Sequence, residues 1–123
     1  MGLDLYFYKN NKEKEQELIG EFRKVNFLVS FFEGYGDVEN LVPLPIEESW
    51  IRDLIACCEE VIKDPSKADE ILPTCSGFFF GSTEYDESYF KKVKDVKEFC
   101  ESELLDEFKW LEDGDYITFE IWY

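Results

Sequence analysis

An aromatic triplet, Phe78, Phe79 and Phe80, is the feature that most constrains the fold of this chain. It lies between two glycines in residues 73–87, which run from a proline to a predicted helix start. Side chains alternate between the two faces of a strand, so Phe78 and Phe80 would share one face and Phe79 would occupy the other. Both faces would then need a cover, and a short strand near residues 77–80 is one option for the fold.

The end of this stretch predicts the start of a helix. Gly81 frees the backbone immediately before Ser82 and Thr83, which are both good N-cap residues. Asp86 follows Thr83 at the spacing of a capping box, with Asp in place of Glu or Gln. We therefore predict a helix from about Thr83 to about Leu105.

The two ends of the chain have the alternating pattern of half-buried strands. Leu3, Leu5 and Phe7 would share one face near the start, and Ile117 and Phe119 would share one face near the end. A single strand leaves its edges without hydrogen-bond partners, so we expect these two strands to pair.

Apolar spacing between them predicts further helices. From about Lys12 to Gly34 the spacings are four and three residues, on the stripe Leu18, Phe22, Val25, Val29 and Phe32. A second apolar stripe follows Pro45 and ends before Pro65. The sequence thus predicts one domain over residues 1–123 with an α+β fold. Its small antiparallel sheet consists of the N- and C-terminal strands, with an optional third strand near residues 77–80, and packs on one face against about three helices.

The charge is strongly acidic. The chain has 29 acidic and 13 basic residues, a formal net charge of −16. Such a charge repels nucleic acids and anionic membrane surfaces, so we expect neither as a direct partner. A protein that itself binds nucleic acid remains a possible partner. The acids are densest in residues 101–115, where seven of them stand against Lys109 alone: Glu101, Glu103, Asp106, Glu107, Glu112, Asp113 and Asp115.

The residue types argue against most enzyme chemistry. The chain has no His, which excludes imidazole-based catalysis and the common metal-hydrolase ligand sets. Its four cysteines lack metal-site spacing, and we interpret them as reduced and buried. We expect no enzyme activity, no cofactor and no metal. No leader or long apolar run is present, so we expect a cytoplasmic protein.

A second polar cluster is a candidate ligand pocket. Arg23, Lys24 and Asn26 interrupt an apolar segment and could face the predicted helix start. Alternatively, Arg23 could pair with Glu84 or Asp86 and Lys24 could be solvated. The full set of pocket candidates is Arg23, Lys24, Asn26, Ser76, Ser82, Thr83, Glu84, Tyr85 and Asp86.

Three stretches resemble a known family: MGLDLYFYK at the start, FRKVN at residues 22–26 and LPTCSGFFFGSTEYDE at residues 72–87. The family comprises small phage, prophage and bacterial proteins that begin MGLDMYLY and contain LLPTQSGFFFGSTEYDE. This chain differs in having Cys75 where the family has Gln and Val29 where the family has His, and its Gly36 to Pro45 connector is unlike that of the family. The resemblance covers most of the chain and implies a phage-associated role in a bacterial host cell, without implying an activity.

Two hypotheses follow. In the first, the chain is an acidic, nucleic-acid-mimicking protein that inhibits a host protein, such as a defence nuclease, by binding its basic groove. In the second, the chain binds or sequesters a nucleotide signal in the Arg23, Asn26, Ser82 and Thr83 pocket.

Overall fold

The sheet is built around a central pair of strands. The structure is a computed structural model that describes residues 2–13, 15–77 and 80–123. Within these residues the strands form one four-stranded antiparallel sheet in the order β2-β1-β4-β3. The strands are β1 (Asp4–Asn10), β2 (Gln16–Arg23), β3 (Leu44–Ile46) and β4 (Tyr116–Trp122).

The helices fall between the strands in the chain. They are α1 (Phe27–Glu33), α2 (Glu48–Lys63), α3 (Ala68–Ile71), α4 (Glu87–Phe99) and α5 (Leu105–Lys109). A 3₁₀ turn, Pro65–Lys67, precedes α3, and a π-helical segment, Cys100–Leu104, joins α4 to α5. Among the described residues, no helix has both the length and the apolar character needed to cross a bilayer.

One face of the sheet forms the core. Leu3, Leu5 and Phe7 are buried beside Ile117 and Phe119 of β4, as their alternation predicts. Helix α1 covers this face, with the ring of Phe32 centred 4.3 Å from that of Phe119. Helix α4 covers it beside β2, with the ring of Phe99 centred 5.4 Å from that of Phe7. Helix α2 packs against α4.

The predicted fold class is confirmed. The protein is an α+β structure in which the N- and C-terminal strands pair and helices pack on one face of the sheet. The predicted apolar stripe of the third helix is also buried, although it runs through α4 into the π-helical segment: Tyr89, Val93, Val96, Cys100 and Leu104.

The helix predicted over residues 12–34 is wrong in its first half. Residues 16–23 form β2, and only Phe27–Glu33 is helical. A spacing of four residues fits both helical and strand periods, so Leu18 and Phe22 do not distinguish them. A register irregularity at Phe7/Tyr8 puts Leu18 opposite Tyr8, on the face away from the core, where Leu18 is 50% exposed.

The described residues around the aromatic triplet form no strand. Gly77 and Phe80 belong to no strand, and the N–H of Phe80 donates to the carbonyl of Gly77 at 3.1 Å. Phe78 and Phe79 lie outside the described residues, so the face assignment of the triplet is not described. Besides the predicted terminal strands β1 and β4, the sheet contains β2 and β3.

The predicted N-cap at Thr83 is also wrong. Asp86 has an extended backbone, and its side chain accepts a hydrogen bond from the N–H of Tyr89 at 3.1 Å. Asp86 therefore caps α4, and the helix begins at Glu87 rather than at Thr83. Ser82 and Thr83 are held in the loop instead, because their carbonyls accept hydrogen bonds from the side chains of Asn26 and Thr74.

Gly20 on β2 provides the space into which α4 packs. A β-carbon at this position would lie 2.6 Å from Cζ of Phe99 and closer still to Cε1. The Phe99 ring is held in turn by Phe22, with ring centroids 5.2 Å apart. We predict that Gly20→Ala lowers the free energy of unfolding by about 1–3 kcal/mol, because the Phe99 ring must shift within a packed core. Urea denaturation measures this change.

The cause can be separated from strand propensity with a second substitution. In a Phe99→Leu background the smaller side chain leaves room for the added methyl group, so Gly20→Ala should cost at least about 0.5 kcal/mol less than in the native background. An equal cost in both backgrounds would contradict close packing as the cause.

Candidate functional site

Asn26 organises the loop that joins α3 to α4. The loop spans residues 73–86 between α3 and α4 and has no regular secondary structure in its described part. The Asn26 amide nitrogen donates to the carbonyls of Phe80 at 3.1 Å and Ser82 at 2.9 Å. Its amide oxygen accepts from the N–H of Cys75 at 3.2 Å. Asn26 is 3% exposed, so its side chain replaces water for three backbone groups of the loop.

Thr74 closes the loop on itself. Its hydroxyl donates to the carbonyl of Thr83 at 3.0 Å, and its N–H donates to the phenol oxygen of Tyr85 at 3.1 Å. Tyr89 of α4 adds a buried bond from its hydroxyl to the carbonyl of Leu72 at 2.7 Å. The two ends of the loop are therefore joined by side chains of the motif itself.

Two residues with left-handed backbone conformation meet beside Asn26. Lys24 has a φ of 57° and Gly81 a φ of 88°. A β-carbon on Gly81 would lie 3.1 Å from Cβ of Lys24, so the two backbones are in close approach. The left-handed region is unfavourable for a lysine, and such conformations concentrate at functional sites. Gly81 is the residue type that this position requires.

A small cleft opens at this point. It has a volume of about 20 Å³, which is room for about one water molecule. Its wall carries two ammonium groups and two carboxylates, so their formal charges cancel. The polar side chains of the lining are Lys24, Asn26, Thr74, Ser82, Glu84, Asp86, Ser88 and Lys92.

The structure brings together only part of the predicted pocket. Lys24, Asn26, Ser82, Glu84 and Asp86 line the cleft. Outside this lining are Arg23, Ser76, Thr83 and Tyr85.

Arg23 lies on a strand and points elsewhere. It pairs in register with Asp4 at the end of β2, so it does not share a helical face with Asn26 as predicted. Among the described residues it forms no ion pair with Glu84 or Asp86.

Sequence reasoning missed Thr74 and Lys92. Thr74 lies within the motif, but nothing local indicates that it bonds residues nine and eleven positions ahead. Lys92 donates from Nζ to the carbonyl of Lys24 at 3.2 Å, a contact that depends on how α4 packs. No sequence signal indicates it.

The predicted acidic segment forms an exposed surface along three consecutive elements. Glu101 and Glu103 lie in the π-helical segment and Asp106 and Glu107 in α5, and the remaining three acids lie in the turn before β4. Glu101 forms an ion pair with Lys97 at 2.8 Å. On the α2 side, Arg52 and Lys109 also offset some of the charge.

At the C-terminal end of this segment, acids from another part of the chain lie close to Glu112 and Asp115. Glu112 and Asp115 share a groove of about 250 Å³ with Glu15 and Glu17 of the β1–β2 hairpin. Lys9 is the one basic residue in the described lining. In the part of the chain that the structure describes, no three Cys, Asp or Glu side chains are arranged to hold a metal ion. We call Glu15, Glu17, Glu112 and Asp115 the acidic groove.

The cysteines are free thiols. Cys58 and Cys100 are buried, and Cys57 and Cys75 are half-buried. Burial raises the pKa of Cys100 to about 12, with a further contribution from Glu101, and raises the pKa of Cys58 further. These two buried thiols therefore stay protonated at neutral pH and are poor nucleophiles.

We predict that Asn26→Ala destabilises the protein by at least about 2 kcal/mol, because three backbone groups of the loop lose their partner in a buried site. Denaturation measures the loss. Hydrogen exchange gives a local readout: the N–H of Cys75 should lose its protection while the N–H groups of β1 keep theirs.

Asn40 is a matched control. Its amide makes two bonds, against three for Asn26, to the N–H and carbonyl of Tyr123, and at an exposed site where water can replace it. Asn40→Ala should therefore cost about 1 kcal/mol or less. Equal losses of stability in the two variants would show that burial does not increase the stabilising effect of the Asn26 hydrogen bonds.

Comparisons with protein-family models, with curated proteins and with solved structures find no match for this chain. The functional argument therefore depends on the chemistry of its surfaces.

Proposed function

We propose that this chain is an acidic interaction protein that inhibits a nucleic-acid-binding protein by occupying its basic groove. The observation that carries the proposal is the acidic groove. Glu15 and Glu17 come from the hairpin and Glu112 and Asp115 from the turn before β4, and all four residues line one groove. Separate elements thus bring four acids together, with Lys9 as the one base in the described lining.

The physical basis is competition for the same cations. Lysine and arginine side chains that bind phosphates also bind carboxylates through charge-assisted hydrogen bonds. A net charge of −16 would steer the chain toward a positive groove and would repel competing nucleic acid from the complex. Association of this kind weakens as salt rises, because mobile ions screen the charges.

The resemblance to phage and prophage proteins supports a target in the bacterial host. A protein that cleaves or binds phage nucleic acid must have a basic groove, which is the surface that an acidic mimic fits. We therefore propose an anti-defence role in the host cytoplasm, with a defence nuclease as the representative target.

Sequestration of a nucleotide signal remains the second candidate. One observation favours it, the close approach of the left-handed residues Lys24 and Gly81 beside the cleft. The cleft volume of about 20 Å³ is far below the several hundred Å³ of a typical ligand site. Glu84 and Asp86 in the lining also oppose a phosphate. These two properties favour the acidic interaction protein.

We predict that reversing Glu107, Glu112 and Asp113 to Lys together weakens partner binding by more than about tenfold at low salt. Each reversal adds two charges, so the net charge changes from −16 to −10. Asp115 is left intact because it accepts a bond from the N–H of Glu112 and supports the turn. The measurement is a pull-down from host lysate at low and raised salt, followed by a nucleic-acid competition assay with the captured protein.

The matched control reverses Glu33, Asp37 and Glu39, which are exposed and give the same change in net charge. Glu39 lies next to Asn40, which bonds Tyr123 beyond the far end of β4, whereas the acidic groove lies near Tyr116. The control should keep its binding. Equal losses in both variants, or a captured partner that does not release nucleic acid, would contradict the proposal.

A further inference from the structure

The second face of the sheet is partly open, because Thr118 of β4 is buried there while other side chains on the same face are exposed. Because side chains alternate along a strand, Tyr6 and Tyr8 of β1 and Trp122 of β4 lie on the face of the sheet away from the core. Trp122 is 46% exposed, and Tyr6 and Tyr8 are partly exposed. In the described ranges, no hydrogen bond or ring contact joins these three side chains to a helix. We call these three residues the aromatic row.

The rings of the aromatic row are in contact. The centroid of Tyr6 is 5.9 Å from that of Tyr8 in a stacked arrangement and 5.7 Å from that of Trp122 in an edge arrangement. The row crosses from β1 to β4, which are paired along their whole length. It is therefore a fixed feature of the two central strands.

Carboxylates flank the aromatic row on both sides. Tyr6 lies opposite Glu21 of β2 and opposite Glu120 of β4, and Asp4 lies two residues before it on β1. Burial raises the pKa of Tyr6, the charges of Asp4, Glu21 and Glu120 raise it further, and the charge of Arg23 lowers it in part. The pKa of Tyr8 is raised by burial and then by Glu120. These effects indicate a local negative potential at the phenol groups.

Glu120 is the most informative of these acids. It is 9% exposed, and one of its carboxylate oxygens accepts the indole N–H of Trp122. Within residues 2–13, 15–77 and 80–123, its other oxygen accepts no hydrogen bond. Because no fully buried side-chain oxygen in the described residues lacks a hydrogen-bond partner, this second oxygen reaches the surface and is open to a donor from outside the chain. Arg23 lies opposite Asp4, at one end of this face. It is one basic side chain, whereas the face has three acidic ones: Asp4, Glu21 and Glu120.

We propose that this face binds an arginine side chain presented by an extended segment of a partner protein. The guanidinium would stack on the ring of Tyr6 or Trp122 and donate hydrogen bonds to Glu120 and Glu21. Arginine fits better than lysine because its planar group stacks on aromatic rings and donates two parallel bonds to a carboxylate. The surface differs from the acidic groove, and the inference does not rest on the proposed function.

Charge decides against other occupants. Exposed aromatic rings on a sheet can stack with nucleic-acid bases, but carboxylates on both sides of this row would repel the phosphates. Two copies of the chain placed face to face would bring like charges together at the same row. A cationic partner satisfies both the rings and the carboxylates.

The experiment uses the full-length protein and a short blocked peptide that contains two arginines. Two versions of the peptide serve for comparison, one with lysines and one with citrullines, which keep the shape of arginine without its charge. Chemical-shift changes at the side chains of Tyr6, Tyr8 and Trp122 locate the site by NMR, and calorimetry gives the affinity. We expect the arginine peptide to bind more tightly than the lysine peptide and the citrulline peptide not to bind.

Variants separate ring stacking from general attraction to negative charge. Trp122→Leu and Glu120→Gln should each weaken arginine-peptide binding by about three- to thirtyfold. Trp110→Leu removes an even more exposed tryptophan elsewhere and should have no effect. The reversal of Glu107, Glu112 and Asp113 should leave the shift changes at the aromatic row in place, which separates this inference from the proposed function.

Several results would overturn the inference. Equal affinity for the arginine and lysine peptides with no loss in Trp122→Leu or Glu120→Gln would show general charge attraction. Oligouridine shifting the same three side chains would identify nucleic acid as the occupant instead. Dimerisation that Trp122→Leu abolishes, measured by sedimentation, would identify a second copy.

Discussion

The core of this protein has a single layer, between one face of the sheet and the helices, and this constraint shapes the rest of the molecule. Phe7 and Phe119 of the central strands contact Phe32 of α1, and Phe99 of α4 packs over Gly20. Because most of the large apolar side chains of these strands turn to that layer, the opposite face carries mainly polar and aromatic side chains, with Leu18 as an exception. The two proposed binding surfaces therefore lie on parts of the chain that the core does not use.

Much of this architecture could be predicted from local patterns. Strict alternation near both ends of the chain identified β1 and β4, and helical stripes identified α2 and most of α4. The β2 strand could not be identified in this way, because Leu18 and Phe22 fit two periods and the register irregularity beside Tyr8 is set by pairing with β1. The start of α4 was missed because Ser82, Thr83 and Asp86 are all competent caps, and the loop bonds of Thr74 and Asn26 decide among them.

In the candidate sites, too, local sequence patterns predict some features and long-range contacts set the others. The acidic segment was evident from composition, but its meeting with Glu15 and Glu17 depends on the hairpin lying beside the turn before β4. The motif in residues 73–86 was evident as a pattern, yet its described hydrogen bonds serve mainly to hold the loop to Asn26 and to itself. Long-range pairing sets both arrangements, and no local spacing encodes it.

The pairing of β1 with β4 also affects how the chain reaches its fold. Asn10 bonds Thr118 across 108 positions of sequence, and β4 follows every other described element along the chain. Until β4 emerges from the ribosome, β1 lacks a central neighbour and the apolar side chains of α1 have only part of their cover. Folding that depends on such distant contacts is slow, and its intermediates expose apolar surface that promotes aggregation. The large negative charge opposes this aggregation, because incompletely folded chains repel one another.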